Sequence, residues 1–274
     1  MDAALRAFRD LLRSPDAALD LGRAALAVAA IEHPGLEPAE SLARLDALAR
    51  ASGAARAGCD RARLDRLRAH LFETLGFRGN AGDYYDPRNS CLNDVLDRRT
   101  GIPITLSVLT MEVGRRAGLA IDGVGLPGHF VVAARLGAET VLLDPFGGGA
   151  ALARREAEAL VARAVGRPVT LKDEHFAPAT KAQIVVRMLR NLHGVYTRRQ
   201  EWDKALAAVD RLLAAEGEAP AHLRDRGTAL VNLGRVHHGA AEWERYLARY
   251  PKARDAGHVR DELRRVRQAL AERN

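Results

Sequence analysis

The sequence predicts an α+β protein in which two helical regions flank a core containing a small antiparallel sheet. Aromatic residues make up only 5% of the 274 residues while hydrophobic residues make up 47%, a balance rich in Ala, Leu and Val that favours helices over an all-β fold. Short apolar runs separated by glycines are confined to the middle of the chain, and helical hairpins recur near its end. We therefore predict three regions: a helical region at 1–76 that packs on the core, the core itself at 77–170, and helical repeats at 178–274.

The first region contains three segments with apolar residues at helical spacing. They read LDLGRAALAVAAIEH, PAESLARLDALARASG and CDRARLDRLRAHLFETLGF. Pro38 and Gly53 bracket the second segment, and Gly76 follows the third, as expected at helix ends.

The central region changes from helices to strands. A turn-rich stretch, RGNAGDYYDPRNS, precedes a helix predicted from about Ser90 to Arg99 and capped by Ser90. Gly101 and Pro103 interrupt the helical pattern, which resumes in ITLSVLTMEVGRRAG. The runs AIDGVGL, HFVVAARL and TVLLDPF then predict strands, the last two forming a hairpin that turns at Gly137.

A repeat of 34 positions marks the last region, because that shift pairs Leu189 with Leu223 and Ala205 with Gly239. A helix–turn–helix unit of this period is typical of tetratricopeptide repeats. We expect EWDKALAAVDRLLAAE and GRVHHGAAEWERYLARYP to form the second helices of two units, and the small Ala205/Gly239 pair to allow a close helix crossing. The final amphipathic stretch would cap the stack.

Cys91, His129 and Asp144 are the candidate catalytic residues. A thiol nucleophile requires a cysteine near a helix N-terminus, a histidine to accept its proton, and an acid to orient that histidine. His129 precedes one predicted strand and Asp144 ends the next, so an antiparallel pairing would bring them together. Cys91 also fits a second reading, a small buried residue on the apolar stripe formed with Leu92, Val95 and Leu96.

The stretch YYDPRNS is a candidate binding loop beside His129. Tyr84, Tyr85, Asp86, Arg88 and Asn89 would line a cleft there, while Asp86–Pro87 would also start a turn. The remaining candidate binding residues are Ser107, on the second central helix, and Phe146, in the PFGGG segment after Asp144.

The segments DPRNSCLNDVLDRRTGIPITLSVLTMEVGRRAGL, GVGLPGHFVVA and LLDPFGGG resemble those of the bacterial SirB family, and the resemblance covers nearly the whole chain. It implies a transglutaminase-like, papain-like core joined to a tetratricopeptide tail, with His129 and Asp144 matching the histidine and aspartate of the transglutaminase-like pattern. In that pattern the cysteine opens the helix before the first strand. Here that helix opens with Ile102, Pro103 and Ile104, followed by Thr105 and Ser107, and Cys91 lies roughly 16 Å earlier along a continuous helix.

Composition and motifs narrow the function classes. The net charge of +7 comes from arginines that alternate with acids, which favours a solvated, arginine-rich surface and leaves a nucleic-acid site as the weaker alternative. We expect no signal peptide, because the opening MDAALRAFRDLLRS carries acids and lacks a continuous apolar core. The apolar runs are too short to span a bilayer, so we expect a cytoplasmic protein without membrane association. Phosphate-binding and dinucleotide-binding glycine motifs and zinc-ligand spacings are missing, and we expect no cofactor and no metal.

Two functional hypotheses follow. In the first, the chain is a non-catalytic or regulatory interaction module that binds a peptide or protein through its cleft or its helical repeats. In the second, it is a cysteine-dependent peptidase or amide-transfer enzyme that uses Cys91, His129 and Asp144.

Overall fold

The computed structural model describes residues 3–272, which form two compact units, one of residues 14–188 and the other of residues 3–13 and 189–272. The predicted α+β class is confirmed. None of the helices in the described range is both long and apolar enough to cross a membrane. The helices are α1 (Ala3–Leu12), α2 (Leu21–Ala29), α3 (Pro38–Ala51), α4 (Asp60–Arg68), α5 (Leu92–Arg98), α6 (Pro103–Arg116), α7 (Arg154–Val165), α8 (Lys181–Arg199), α9 (Trp202–Glu216), α10 (Pro220–Asn232), α11 (Val236–Arg249) and α12 (Ala256–Ala271); the strands are β1 (Arg78–Gly79), β2 (Thr100–Gly101), β3 (Ala120–Val124), β4 (Val131–Leu136), β5 (Glu139–Asp144) and β6 (Ala150–Leu152).

Helix α6 is the central element of the unit at 14–188. Its residues 103–114 are all buried, which is the pattern of a helix covered on every side. It contacts α2, α3 and β3. Pro103 occupies the first turn, where the missing N–H leaves no hydrogen bond unmade and φ is already helical.

The four-stranded sheet is antiparallel with the order β3-β4-β5-β6. The predicted hairpin is confirmed: Val132 pairs with Leu143, and Gly137 turns the chain with a φ of 66°. Because β4 begins just after His129 and β5 ends at Asp144, this register brings both residues to the same edge of the sheet.

The turn-rich stretch is anchored to the break before α6. Strands β1 and β2 pair in parallel, with Gly79 opposite Gly101. The helix predicted from Ser90 begins later, at Leu92. Ser90 instead ends a 3-10 turn at Pro87–Ser90, and the N-cap of α5 is Cys91, so the prediction that Ser90 caps this helix is wrong. The helix stops where Arg99 adopts a φ of 55°.

The second unit consists of helical hairpins, and the predicted second helices correspond to α9 and α11. Helices α10 and α11 approach so closely that a Cβ on Gly239 would lie 2.8 Å from the Gly227 carbonyl oxygen, as expected for a small residue at a helix crossing. An apolar cluster that includes Leu223, Trp243 and Val259 joins α10, α11 and α12. Helix α1 packs on α9 through the fully buried Phe8.

Candidate functional site

His129 and Asp144 form a buried hydrogen-bonded pair. His129 Nε2 lies 3.0 Å from Asp144 Oδ1, and the two residues are 6% and 5% exposed. The backbone N–H of Phe146 donates to the same carboxylate oxygen at 3.1 Å, which fixes the carboxylate in the turn after β5. This arrangement fixes the orientation of the imidazole, and Nδ1 is the ring nitrogen that does not contact Asp144.

Aromatic side chains lie beside this pair. The Phe146 ring contacts His129 edge-on, with ring centroids 5.9 Å apart, and Tyr84 contacts Phe146 at 6.3 Å. Tyr84 and Tyr85 are 39% and 50% exposed, so solvent reaches both rings. Phe146 lies directly over Gly79, where a Cβ would come within 2.5 Å of the ring. The predicted residues Tyr85 and Phe146 thus belong to one aromatic surface with two exposed tyrosines and a half-buried Phe146, which we call the aromatic cleft (Tyr84, Tyr85, Phe146).

Arg187, on α8, supports the loop that carries His129, and the sequence did not indicate it. Its guanidinium donates to the carbonyl oxygens of Leu126 at 3.3 Å and His129 at 2.7 Å. The same group lies over the Phe130 ring, 5.2 Å from the centroid. Burial lowers the pKa of Arg187, with only a partly opposing contribution from Tyr84. The one sequence signal was an arginine within the otherwise apolar run IVVRML.

Arg88 and Asn89 organise the loop that presents the tyrosines. Asp86, 4% exposed, forms ion pairs with Arg88 at 2.9 Å and Arg98 at 3.0 Å. Burial alone would raise the pKa of Asp86, but hydrogen bonds from Arg88 and the charges of both arginines lower it overall. Asn89 is fully buried and donates through Nδ2 to the carbonyl oxygens of Asp83 and Tyr84. Arg88 and Asn89 therefore affect the aromatic cleft indirectly, because they fix the loop that carries Tyr84 and Tyr85.

Cys91 lies in a different environment from the His129–Asp144 pair. It is 0% exposed, and its thiol donates to the Pro87 carbonyl oxygen at 3.5 Å. Its sulfur clusters with His33 and Asp94, all three ligand atoms lying within 4.8 Å of one another. In the described part of the chain, the hydrogen bonds of Cys91 and those of His129 share no partner.

The surroundings of Cys91 favour the protonated thiol. Burial raises its pKa well above the ordinary value, and the negative charges of Asp94, Glu32 and Asp86 raise it further. Activated cysteines need the opposite, a positive and partly exposed environment that stabilises the thiolate.

The start of α6, where the family pattern would have its cysteine, has no thiol. Ile102 is the N-cap and Pro103 the first helical residue. Thr105 and Ser107 are fully buried, and neither hydroxyl has a hydrogen-bond partner within residues 3–272. The candidate binding residue Ser107 therefore lies in the interior of the unit.

Comparisons with known proteins agree with this architecture. The family model of the transglutaminase-like superfamily matches residues 39–190, and a tetratricopeptide repeat model matches residues 192–264. No solved structure gave a significant match.

Among curated relatives, a UPF0162 protein of Xylella fastidiosa strain 9a5c is 42% identical over 198 residues, which cover 71% of this chain and 70% of the relative. A UPF0162 protein of Vibrio cholerae is 28% identical over 169 residues, 61% of this chain and 62% of the relative. F-box only protein 21 of Mus musculus is 37% identical over 110 residues, 37% of this chain but 18% of that protein. With a family model covering more than half of its residues and a relative of this identity and coverage, the chain belongs to the transglutaminase-like superfamily and, within it, to the UPF0162 proteins.

Proposed function

We propose that the chain is a non-catalytic or regulatory protein-interaction module, which binds a peptide or protein segment through the aromatic cleft or through its tetratricopeptide hairpins. The observation that carries this proposal is the placement of Cys91, buried beside His33 and Asp94, while His129 is paired with Asp144. A cleft that keeps its His–Asp pair without an activated thiol retains a binding surface and lacks the nucleophile of acyl transfer.

The aromatic cleft suits peptide recognition. Tyrosine side chains supply large amphipathic contact areas and are enriched at positions that dominate binding energies. Here Tyr84 and Tyr85 are presented side by side, 5.4 Å apart between ring centroids, on a loop fixed by Asp86 and Asn89. A preformed surface of this kind loses little conformational entropy on binding.

The hairpin unit offers a second surface. A cavity of about 520 Å³ is lined by apolar residues, among them Leu213 and Leu223, and by charges of both signs, among them Arg226 and Glu242. Many arginines of this unit pair with carboxylates, as Arg226 does with Asp210 at 2.7 Å. Such pairing supports a protein partner over a polyanionic nucleic acid, which needs unneutralised positive charge.

The proposal includes three further elements. First, we propose that the chain divides into a helical region at 1–76, a transglutaminase-like core at 77–170 and helical repeats at 178–274. The quoted motifs support membership of the SirB family, and the residue composition supports a cytoplasmic location.

Peptide selection tests the proposal. A displayed library of random peptides is selected against the full chain, and the Kd of each recovered peptide is measured by fluorescence anisotropy. We expect Tyr85→Ala to weaken binding at least about tenfold. Leu233→Ala, which removes another exposed side chain at the C-cap of α10, is the matched control for cleft binders. If the recovered peptides bind Tyr85→Ala, Leu233→Ala and Arg226→Ala as tightly as they bind the parent chain, the proposal is overturned.

The His129–Asp144 hydrogen bond also favours a second candidate, a cysteine-dependent peptidase or amide-transfer enzyme. In that mechanism the Cys91 thiolate attacks an acyl carbon, the amine leaves with a proton from His129, and the resulting thioester is resolved by water or another amine. An acyl-donor probe that labels the parent chain but not Cys91→Ala or His129→Ala would support it.

A further inference from the structure

We propose that His33, Cys91 and Asp94 form a binding site for a divalent transition-metal ion of the zinc class. The ligand atoms of the three residues, one nitrogen, one sulfur and one oxygen, lie within 4.8 Å of one another. This inference is independent of the proposed function, because none of the three residues belongs to the aromatic cleft.

The side-chain chemistry selects the metal. Thiolate and imidazole ligands suit Zn²⁺, Co²⁺ and Cu⁺, whereas Mg²⁺ and Ca²⁺ prefer oxygen ligands alone. Zinc also accepts aspartate oxygens, and sites with three protein ligands leave a fourth position for water or another group. The mixed set at this site therefore points to a borderline metal.

The distances are close to those of a metal-bound set. Bond lengths near 2.0 Å to nitrogen and oxygen and 2.3 Å to sulfur separate tetrahedral ligand atoms by roughly 3.3–3.6 Å. His33 Nε2 and Asp94 Oδ2 are 2.6 Å apart and hydrogen-bonded, so they must separate slightly, and the Cys91 sulfur lies no more than 4.8 Å from either atom. Shifts of about 1 Å by side-chain rotation are sufficient.

The three ligand residues lie on two elements of the fold that are in contact with each other. His33 follows α2, whereas Cys91 is the N-cap of α5 and Asp94 lies in its first turn. Helices α2 and α5 are in contact. A bound ion would therefore connect two packed elements without any rearrangement of the backbone.

The electrostatic balance favours a cation. Cys91 and Asp94 are buried, at 0% and 9% exposure, and the Asp94 carboxylate places a negative charge beside the sulfur. Asp86, which also contributes negative potential, is already neutralised by Arg88 and Arg98. When the ion binds, the Cys91 S–H bond breaks, a sulfur–metal bond forms, and the proton goes to solvent.

The side chain of His33 is 35% exposed, which gives the ion a path from solvent. Local sequence spacing did not reveal the set, because His33 and Asp94 are 61 positions apart. The prediction of no metal rested on short zinc-ligand spacings, which this set of residues does not have.

Titration with Zn²⁺ and Co²⁺ tests the site in the full chain after treatment with a chelator. Zn²⁺ affinity is measured by competition with a chromophoric chelator, and Co²⁺ is followed by its thiolate-to-metal charge-transfer absorption. We expect one equivalent of Zn²⁺ per chain and a charge-transfer band with Co²⁺. Cys91→Ser should abolish that band and weaken Zn²⁺ binding at least about 100-fold, since even the loss of a residue that supports a ligand costs 10–100-fold.

Two further variants make the result decisive. Cys59→Ser removes the exposed cysteine and should leave both signals unchanged. His33→Gln alters a partly exposed side chain, so it keeps the test valid if Cys91→Ser does not fold. A parent chain that binds no Zn²⁺, or Zn²⁺ binding that survives both Cys91→Ser and His33→Gln, would overturn the inference.

Discussion

Two histidines of the unit at 14–188 each pair with an aspartate, yet their surroundings differ. His129 and Asp144 are both almost fully buried and lie beside an aromatic cleft. His33 is partly exposed, and its aspartate, Asp94, lies beside the buried thiol of Cys91. The histidine that clusters with the cysteine is therefore His33, and the hydrogen bonds of the His129–Asp144 pair share no partner with those of the thiol.

Replacing the aspartate of each pair should show the difference between the two pairs most strongly, as a difference in the loss of stability. Asp144→Ala leaves the buried His129 without its acceptor and removes the acceptor of the Phe146 N–H, so we expect the free energy of unfolding to fall by roughly 3 kcal/mol. Asp94→Ala should cost only about 1 kcal/mol, because solvent can reach His33 and the thiol loses a negative neighbour. Urea unfolding of both variants measures the difference, and equal losses would contradict it.

A glycine substitution should affect the aromatic cleft and leave the thiol cluster (His33, Cys91, Asp94) intact. In Gly79→Ala the new Cβ would lie 2.5 Å from the Phe146 ring, so the ring must move from its position beside His129 and Tyr84. We expect a loss of roughly 1–2 kcal/mol in stability and at least tenfold weaker binding of cleft-selected peptides.

Gly82→Ala is the matched control for that substitution. Gly82 lies in the same loop, and a Cβ there meets nothing within 4 Å. Its stability and peptide Kd should equal those of the parent chain. If Gly79→Ala also left peptide binding unchanged, the aromatic cleft would not be the binding surface.

The alkaline pH dependence of stability should include a contribution from Cys91, beside those of tyrosines such as Tyr84 whose pKa the fold also raises. Because the folded state raises the pKa of Cys91, the unfolded chain loses its thiol proton first, near pH 9.0. The thiol's contribution to stability is therefore complete below that pH and declines above it, by at most about 1.4 kcal/mol per pH unit. In metal-free Cys59→Ser protein, denaturant unfolding between pH 8 and pH 10.5 should show this decline, and Cys91→Ala should reduce it. The same slope with and without Cys91 would contradict the assigned environment.

The sequence predicted what depends on local pattern. Helical spacing located α9 and α11, glycine separated the strands of the hairpin, and strand order placed His129 near Asp144. The partners of Cys91 depend on a tertiary contact between the turn after α2 and the start of α5, which no local period encodes. Arg187 was missed for the same reason, since its hydrogen bonds to the loop before β4 span about sixty positions.

Alkylation of Cys91 by iodoacetamide tests the central claim most directly. The reaction is followed from pH 5 to pH 9 in chelator-treated Cys59→Ser protein, with His129→Ala in the same background and urea-unfolded protein as the reference. The account predicts that folded Cys91 reacts far more slowly than the unfolded thiol at every pH, and at the same rate with and without His129. Rapid alkylation below pH 7 that slows in His129→Ala would show an activated Cys91–His129 pair and contradict it.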